Sequence, residues 1–398
     1  MGMKDWHAKC MFVGKSRSVQ PPCTSMGRPE IALEPSGNAR QCAGVFKCLT
    51  GVDMNRPLQR RVFLASLASA STLAVPSVWS QPARLTPVKF TLDFRVTGQT
   101  SPFFLAQSKG YYKDEGLDVS IDVGAGSVTS ITRIASGVYQ MGLGDISSLV
   151  EFNAQNPGTP LVQAVYQYYN RAPFVIIGRK DRGITNDFRS LEGKKIAAAA
   201  VESTRRSWPM VARKLRLKPD LFSWSTTDFS ARDNVVVRGD VDGATYFHDS
   251  AVSLFARMKP EDLSVLQYSD AGVNLYGNAI LASSNLIAQN PKVVAAFLRA
   301  TNRAIVETFA NPAAAIAATR QREPILDEKV ELERWRLTSQ YVGAADTRSH
   351  GLGDIRKLLL EQQVDEVVDV YGLKSRPSAD GLFNLSMLPP KADRMVKA

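Results

Sequence analysis

Apolar and polar positions alternate along this chain in blocks that switch between a period of two and a period near 3.6. Residues 88–94 read as an apolar strand that runs into the polar turn Thr97-Gly98-Gln99-Thr100-Ser101. A helix opened by Pro102 follows, then turns at Gly110 and Gly116, then the alternating strand 117–123. Gly124-Ala125-Gly126-Ser127 opens a second helix, which leads to a strand ending at Asp145. Twice, a strand delivers small polar residues to a helix start, where unpaired backbone N–H groups can receive a ligand.

The alternation continues. A helix over 146–155 stops at Asn156-Pro157-Gly158, and strands follow at 161–168 and 174–178. After a turn at 180–183 come a strand at 196–200 and a helix from Glu202-Ser203-Thr204 through Leu215. Short strands at 222–225 and 244–247 bracket a helix at 231–238; Asp249 begins another helix, and 263–268 is a strand. Residues 276–282 form a further apolar strand, after which 291–309, 312–321, 327–340 and 354–371 show helical periodicity with capping signals. Strands that alternate with helices predict an α/β architecture with mostly parallel sheets. No internal repeat is visible.

The N-terminus departs from this pattern. Residues 1–53 carry no periodicity and hold all four cysteines, Cys10, Cys23, Cys42 and Cys48, at spacings of 13, 19 and 6 that match no zinc pattern. They read as a disordered extension, or as translation assigned upstream of the true start. From Met54 the chain runs MNRPLQRRVFLASLASASTLAVPSVWSQPA, a basic region followed by an apolar, Ser-diluted stretch. Val78 and Ser80 fit the small-residue pattern before a cleavage point, so 54–80 reads as a signal peptide cut near Ser80. Arg60-Arg61-Val62-Phe63-Leu64 resembles a twin-arginine export signal, although Gln59 precedes the pair and general secretion stays open.

This reading changes the charge argument. Residues 1–80 hold ten Lys and Arg against four Asp and Glu, which is +6 of the overall +11. The rest of the chain shows neither clustered cations nor a recognised module, so nucleic-acid binding is not expected. With no cysteine after Cys48, residues 81–398 offer no disulfide, thiol nucleophile or lipid-attachment thiol.

The stretch GYYKDEGLDVSIDVGAGS at 110–127, set in the strand–turn–helix spacing of 88–145, resembles the start of the substrate-binding proteins of ABC importers. The family resembled binds sulfonates, nitrate and the thiamine pyrimidine precursor. The resemblance implies a type II periplasmic binding protein fold: α/β, with two Rossmann-like lobes, a hinge, and a ligand cleft between them. In that family the chain begins in one lobe, crosses to the second, and returns to finish on the first. Crossovers at 178–181 and 272–277 then put lobe one at 84–180 plus 276–398, and lobe two at 181–275. Asp380-Gly381-Leu382-Phe383 resembles the short tail after the last helix of such proteins.

The resemblance also implies a function. A monomeric periplasmic protein captures a small organic nutrient (an aminopyrimidine, a sulfonate or a related molecule) by lobe closure. It then delivers that ligand to an inner-membrane permease driven by a cytoplasmic ATPase, with no cofactor. The resembled superfamily also includes enzymes: a desulfinase with a cysteine nucleophile, and pyrimidine-synthesising proteins with a cysteine-rich motif and a sacrificial histidine. Residues 81–398 contain no cysteine onto which either chemistry transfers, so no enzyme is expected. His248 and His350 show no triad arrangement, and Gly124-x-Gly126 lacks the third glycine of a dinucleotide fingerprint. A periplasmic sensor using the same cleft is the other alternative.

In open α/β sheets ligands sit beyond the carboxyl ends of strands. That rule selects Thr97, Gln99 and Ser101 after the first strand, Ser127 and Thr129 after the second, Asp145 after the third and Tyr168 after the fourth. From the second lobe it selects Ser203, Thr204, Tyr246, His248 and Asp249. Plainer roles compete at each: Ser127, Ser203 and Asp145 as helix caps, Tyr168 as core, and His248 as an ordinary histidine. The segment ATYFHD at 244–249 offers an aromatic face beside a carboxylate, which suits a planar heterocycle with amino groups. An anion would instead take helix N-termini, hydroxyls and Arg206.

Overall fold

The described residues form ten strands, of which one alternates cleanly and several are buried along nearly their whole length. In the computed structural model, which describes residues 84–396, Thr86–Thr91 (β1), Leu117–Asp122 (β2), Met141–Asp145 (β3) and Val162–Gln167 (β4) come first. Phe174–Arg179 (β5), Lys195–Ala198 (β6), Ser223–Thr226 (β7), Gly243–Phe247 (β8) and Leu263–Gln267 (β9) follow, and Asn278–Ser283 (β10) closes the series. They build two five-stranded sheets within one compact unit, in the orders β2-β1-β3-β10-β4 and β7-β6-β8-β5-β9. The expectations for residues 1–53, the signal peptide at 54–80 and its cleavage fall outside the described residues.

Four of the eight pairings are parallel and four antiparallel, so the sheets are mixed where the alternation of elements predicted mostly parallel ones. One strand in each sheet runs against its neighbours: β10 between β3 and β4, and β5 between β8 and β9. These two strands carry the chain from one sheet to the other. Residues 168–173 make the first crossing, ahead of the boundary expected at 178–181, because the strand expected over 174–178 does not stay with the first sheet, as Gly178 shows. It pairs with Gly243 on one side and Ser264 on the other, so β5 belongs to the second sheet. Residues 268–277 make the return. Gln167 pins both crossings, donating through Nε2 to the carbonyls of Tyr169 at 2.8 Å and of Gly277 and Asn278 at 3.1 Å.

The helices that matter here are Ser101–Ser108 (α1), Ser127–Ala135 (α2), Ile146–Gln155 (α3), Trp208–Lys214 (α4) and Arg232–Arg238 (α5). The C-terminal part adds Pro291–Ala310 (α6), Pro312–Arg322 (α7), Glu328–Val342 (α8) and Lys357–Val370 (α9). Caps start several of them. Asp145 accepts from the Ser148 amide at 3.1 Å, Asn311 from Ala314 at 3.3 Å, and Asp327 from Val330 at 3.0 Å. The single helix expected over 202–215 is split at Ser207, where Pro209 forces a new first turn.

Aromatic packing fixes the outer face of the first sheet. Phe90 stacks on Phe103 at 5.0 Å and on Phe297 at 5.1 Å, which joins β1 to α1 and α6. The opposite face buries Ile131, Leu149 and Val364 from α2, α3 and α9. That core runs on into the second sheet through Phe174, Ile176, Trp208 and Leu266. Burial of each such side chain contributes about 1.5–3 kcal/mol. Val175, Ile177, Val236 and Leu254 fill the far face of the second sheet. Among the described residues no helix is long and apolar enough to cross a membrane.

Candidate functional site

Where the carboxyl ends of the two sheets face each other, a narrow cleft opens between them, with a cavity of about 30 Å³. Its first wall carries Asp93, Phe94, Gln99, Gly126 and Ser127. Its second carries Glu202, Ser203, Phe229, Arg232, Phe247 and Ser250. The walls nearly touch: Phe94 meets Phe229 edge-on with ring centroids 5.1 Å apart.

The first wall is built by two loops that press on each other. The Gly124 amide donates to the Phe94 carbonyl at 3.0 Å and the Gly126 amide to that of Asp93 at 2.7 Å. A side chain at 124 would bring its Cβ within 1.9 Å of the Leu92 carbonyl oxygen, so only glycine lets the loops cross. Asp93 Oδ2 accepts from Asn278 Nδ2 at 2.6 Å, whereas Oδ1 has no partner among the described residues. Burial raises this carboxyl to about pKa 6 against the lowering effect of the Asn278 bond. Gln99 is likewise buried, with Oε1 unpartnered among the described residues.

The second wall is organised around an ion pair. Arg232 Nη1 donates to Glu202 Oε1 at 2.8 Å, and its guanidinium lies 4.0 Å over the Tyr246 ring. Glu202 Oε2 accepts from Thr245 Oγ1 at 2.8 Å and from the Ala199 amide at 3.2 Å. Burial still raises the Glu202 carboxyl above its ordinary value, outweighing Arg232. Arg232 lines the cleft, and its Nε is buried without a partner among the described residues. The residues lining the cleft thus include buried acceptors at Asp93 and Gln99 and a buried donor at Arg232, each without a partner among the described residues, beside three aromatic rings.

The residues selected by the strand-end rule divide into three groups. Gln99, Ser127 and Ser203 line the cleft. Thr97, Ser101, Asp145, Tyr168, Thr204 and Asp249 lie beneath it, buried. Tyr168 donates to the Gln99 carbonyl at 2.5 Å, so it props the wall instead of facing the cleft. Asp145 caps α3, and burial raises its carboxyl to about pKa 7. Thr204 donates to the Tyr246 carbonyl at 3.4 Å. Asp249 Oδ2 accepts from Tyr169 at 2.5 Å and Thr338 at 2.8 Å.

Thr129, Tyr246 and His248 point elsewhere. Thr129 donates to the Ala125 carbonyl in the loop just before its own helix at 3.3 Å. Tyr246 is core, its hydroxyl bound to Asp233 at 2.9 Å, so the aromatic platform expected there supports Arg232 from behind. The period-two alternation explains the correction: Phe247, the next residue, faces the cleft. His248 Nδ1 lies 2.8 Å from the Tyr341 hydroxyl, and burial lowers its pKa. Arg206 pairs with Glu151 of α3.

Strand-end reasoning missed Asp93, Phe94, Glu202, Phe229, Arg232, Phe247 and Ser250. Asp93 and Phe94 were hidden by extending the first strand to 94, whereas β1 ends at Thr91. An ionisable residue inside the apolar run Phe90-Thr91-Leu92-Asp93-Phe94 was the available signal. Nothing local marks Arg232, whose role depends on partners from two other segments.

A second, wider groove of about 1180 Å³ lies beside the chain crossings, between α4 and α9. Arg213–Asp369 and Lys214–Glu366 pairs span it, and charged residues form much of its lining. No aromatic ring lines it. Among the described residues no group of three His, Cys, Asp or Glu side chains could hold a metal ion.

Comparison with known proteins agrees with this architecture. A family model described as NMT1/THI5 like matches residues 97–315, more than half of the chain. A relative from Aspergillus parasiticus, named 4-amino-5-hydroxymethyl-2-methylpyrimidine phosphate synthase, is 28% identical over 256 residues, covering 61% of this chain and 72% of that protein. The riboflavin-binding protein RibY of Chloroflexus aurantiacus is 26% identical over 300 residues, covering 69% and 80%. The alkanesulfonate-binding protein SsuA from Xanthomonas axonopodis pv. citri, solved with bound MOPS, is a structural neighbour with TM-score 0.58. It is 14% identical, over 76% of this chain and all of that one. The neighbour shares the periplasmic binding protein fold.

Proposed function

The chain belongs to the NMT1/THI5-like family, and from that premise we propose that it is the extracytoplasmic solute-binding component of an importer. Two lobes, one built on each sheet and joined at 168–173 and 268–277, close on a small ligand. The closed form docks on a membrane permease that is powered by a cytoplasmic ATPase. The protein works as a monomer and needs no cofactor.

The ligand class proposed is a planar nitrogen heterocycle with amino groups. One observation carries this: Asp93 and Gln99, which line the same cleft as Phe94, Phe229 and Phe247, each keep a buried acceptor oxygen without a partner among the described residues. Exocyclic amino groups would donate to those oxygens, a ring nitrogen or hydroxyl would accept from Arg232 Nε, and the rings would cover the faces. The names of the relatives, a pyrimidine phosphate synthase and a riboflavin-binding protein, point to heterocycles too. A sulfonate fits less well, because Arg232 is already paired with Glu202 and the Gly126 amide at the start of α2 is already bonded.

The name of the Aspergillus relative favours a second reading, an enzyme that makes the pyrimidine. The four cysteines lie at positions 10 to 48, and neither His248 nor His350 lines the cleft. Binding of an unaltered ligand is therefore the preferred reading.

The test is native mass spectrometry and thermal-shift titration of the full chain with 4-amino-5-hydroxymethyl-2-methylpyrimidine, riboflavin, MOPS and nitrate. A heterocycle that raises the melting temperature with concentration and is recovered chemically intact supports the reading. A response to MOPS or nitrate alone reassigns the ligand class, and release of a modified product makes the protein an enzyme.

A further inference from the structure

Helix α8 packs on the first sheet's side of the molecule, against α7 and the turn Gly98–Thr100, and Trp335 meets Phe309 edge-on at 5.6 Å. Three of its residues nevertheless reach the second sheet. Arg334, Thr338 and Tyr341 are spaced i, i+4, i+7 and so share one face. Arg334 Nη1 donates to the carbonyls of Asp249 at 2.9 Å and Ser250 at 3.1 Å. Thr338 donates to Asp249 Oδ2 at 2.8 Å, and the Tyr341 hydroxyl lies 2.8 Å from His248 Nδ1. All three converge on the turn His248–Ala251 that follows β8.

One turn earlier on the same face, Glu331 reaches back to the first sheet's turn. Its Oε2 accepts from the Gly98 amide at 2.5 Å and from Arg334 Nε at 2.9 Å. The side chains of this ion pair are only 3% and 5% exposed. One buried pair thus holds the turn that carries Gln99 and the turn that carries Ser250, and these belong to opposite walls of the cleft. Neither Glu331 nor Arg334 lines the cleft itself.

We infer that Glu331 and Arg334 are positioning residues that set the separation of the cleft walls, and through it ligand affinity, without touching the ligand. Arginine suits this role because its planar fork serves two carbonyls and a carboxylate at fixed angles, which a lysine ammonium cannot reproduce. The contacts to the second sheet's turn are hydrogen bonds that water can replace when the lobes part. Only the affinity part of the inference rests on the ligand site proposed above.

Hydrogen–deuterium exchange of the unliganded full chain tests it, comparing the native protein with Arg334→Gln, Arg334→Lys and Thr338→Val. Arg334→Gln should speed exchange at least tenfold at both 97–100 and 248–251, while amides of β5 and β10 stay protected. Arg334→Lys should restore part of that protection, and Thr338→Val should loosen 248–251 alone. Titration with 4-amino-5-hydroxymethyl-2-methylpyrimidine should then show at least tenfold weaker binding to Arg334→Gln, through faster dissociation. Native-like exchange at both turns, loosening of one turn only, or loosening of both whole sheets would overturn the inference. If Arg334→Gln does not fold, Arg334→Lys decides: unchanged exchange at both turns overturns it. If the native protein ignores the pyrimidine, the ligand reading fails while the exchange comparison still decides the role of the pair.

Discussion

Asn278 donates its side-chain amide to Asp93 at 2.6 Å, so the first residue of the returning strand β10 holds the carboxylate that faces the cleft. The main-chain carbonyl of Asn278 also accepts from the Tyr168 and Tyr169 amides at 3.1 and 2.8 Å, within the first crossing. One residue therefore joins the candidate ligand contact to both chain crossings.

This link predicts a pH-dependent affinity. Asp93 carries its charge above about pH 6, and an amino-bearing heterocycle binds the charged form better. Affinity measured by calorimetry should rise across that pH. Asn278→Ala removes a bond that lowers the Asp93 pKa, so the midpoint should move upward. An unchanged midpoint would detach Asp93 from binding.

A second prediction concerns stability. Burial raises Asp145 from 3.8 to about 7, so between those values the folded state binds more protons than the unfolded chain. Stability then falls as pH rises through this window, by a span on the order of 4 kcal/mol for this group. Glu202 and Asp249 shift in the same direction, also through burial. Asp145→Asn keeps the capping oxygen and removes the charge. Its urea midpoint should exceed the native one at pH 8 and approach it near pH 4.

Tyr246 should separate support from contact. Tyr246→Ala empties a fully buried position and should cost about 3–5 kcal/mol of stability. Tyr246→Phe loses only the bond to Asp233, about 1 kcal/mol, and keeps the ring beneath Arg232. Near-native affinity in Tyr246→Phe, read by calorimetry, is expected; a large loss would bring the hydroxyl into the site.

Phe229 is only partly buried, and its ring closes the cleft against Phe94. Phe229→Ala should weaken a heterocycle by about 1–2 kcal/mol while shifting the melting temperature little. Equal affinity in the variant would exclude ring stacking at this position.

Gly98 sits against α8, where an added Cβ would stand 2.5 Å from the Glu331 carbonyl oxygen. Gly98→Ala should cost about 1–3 kcal/mol by overpacking. Thermal denaturation checks this, and a neutral result would show that the turn can withdraw from α8.

Much of the fold was legible because its signals are local. Alternation placed β2 within a residue, and Asn156-Pro157-Gly158 stopped α3 where expected. The first crossing was misplaced because the strand at 174–178 was assigned to the first lobe, whereas its backbone pairs on both sides in the second sheet. Such pairing is long-range and leaves no mark in a short window of sequence.

The sequence by itself determined the order of strands and helices, the cap at Asp145 though not those expected at Ser127 and Ser203, and the small polar turns that bring Gln99, Ser127 and Ser203 to the cleft. It did so because hydrophobic period and capping chemistry act within a few residues. Only the tertiary structure decided that Asp93 and Arg232, with Glu202 and the rings of Phe94, Phe229 and Phe247, share that cleft, and that Tyr246 stands behind it. Those groupings depend on partners far apart in the chain, Asp93 with Asn278 and Glu202 with Arg232 and Thr245. Burial then sets the charge of each carboxylate, and burial exists only once both sheets have formed.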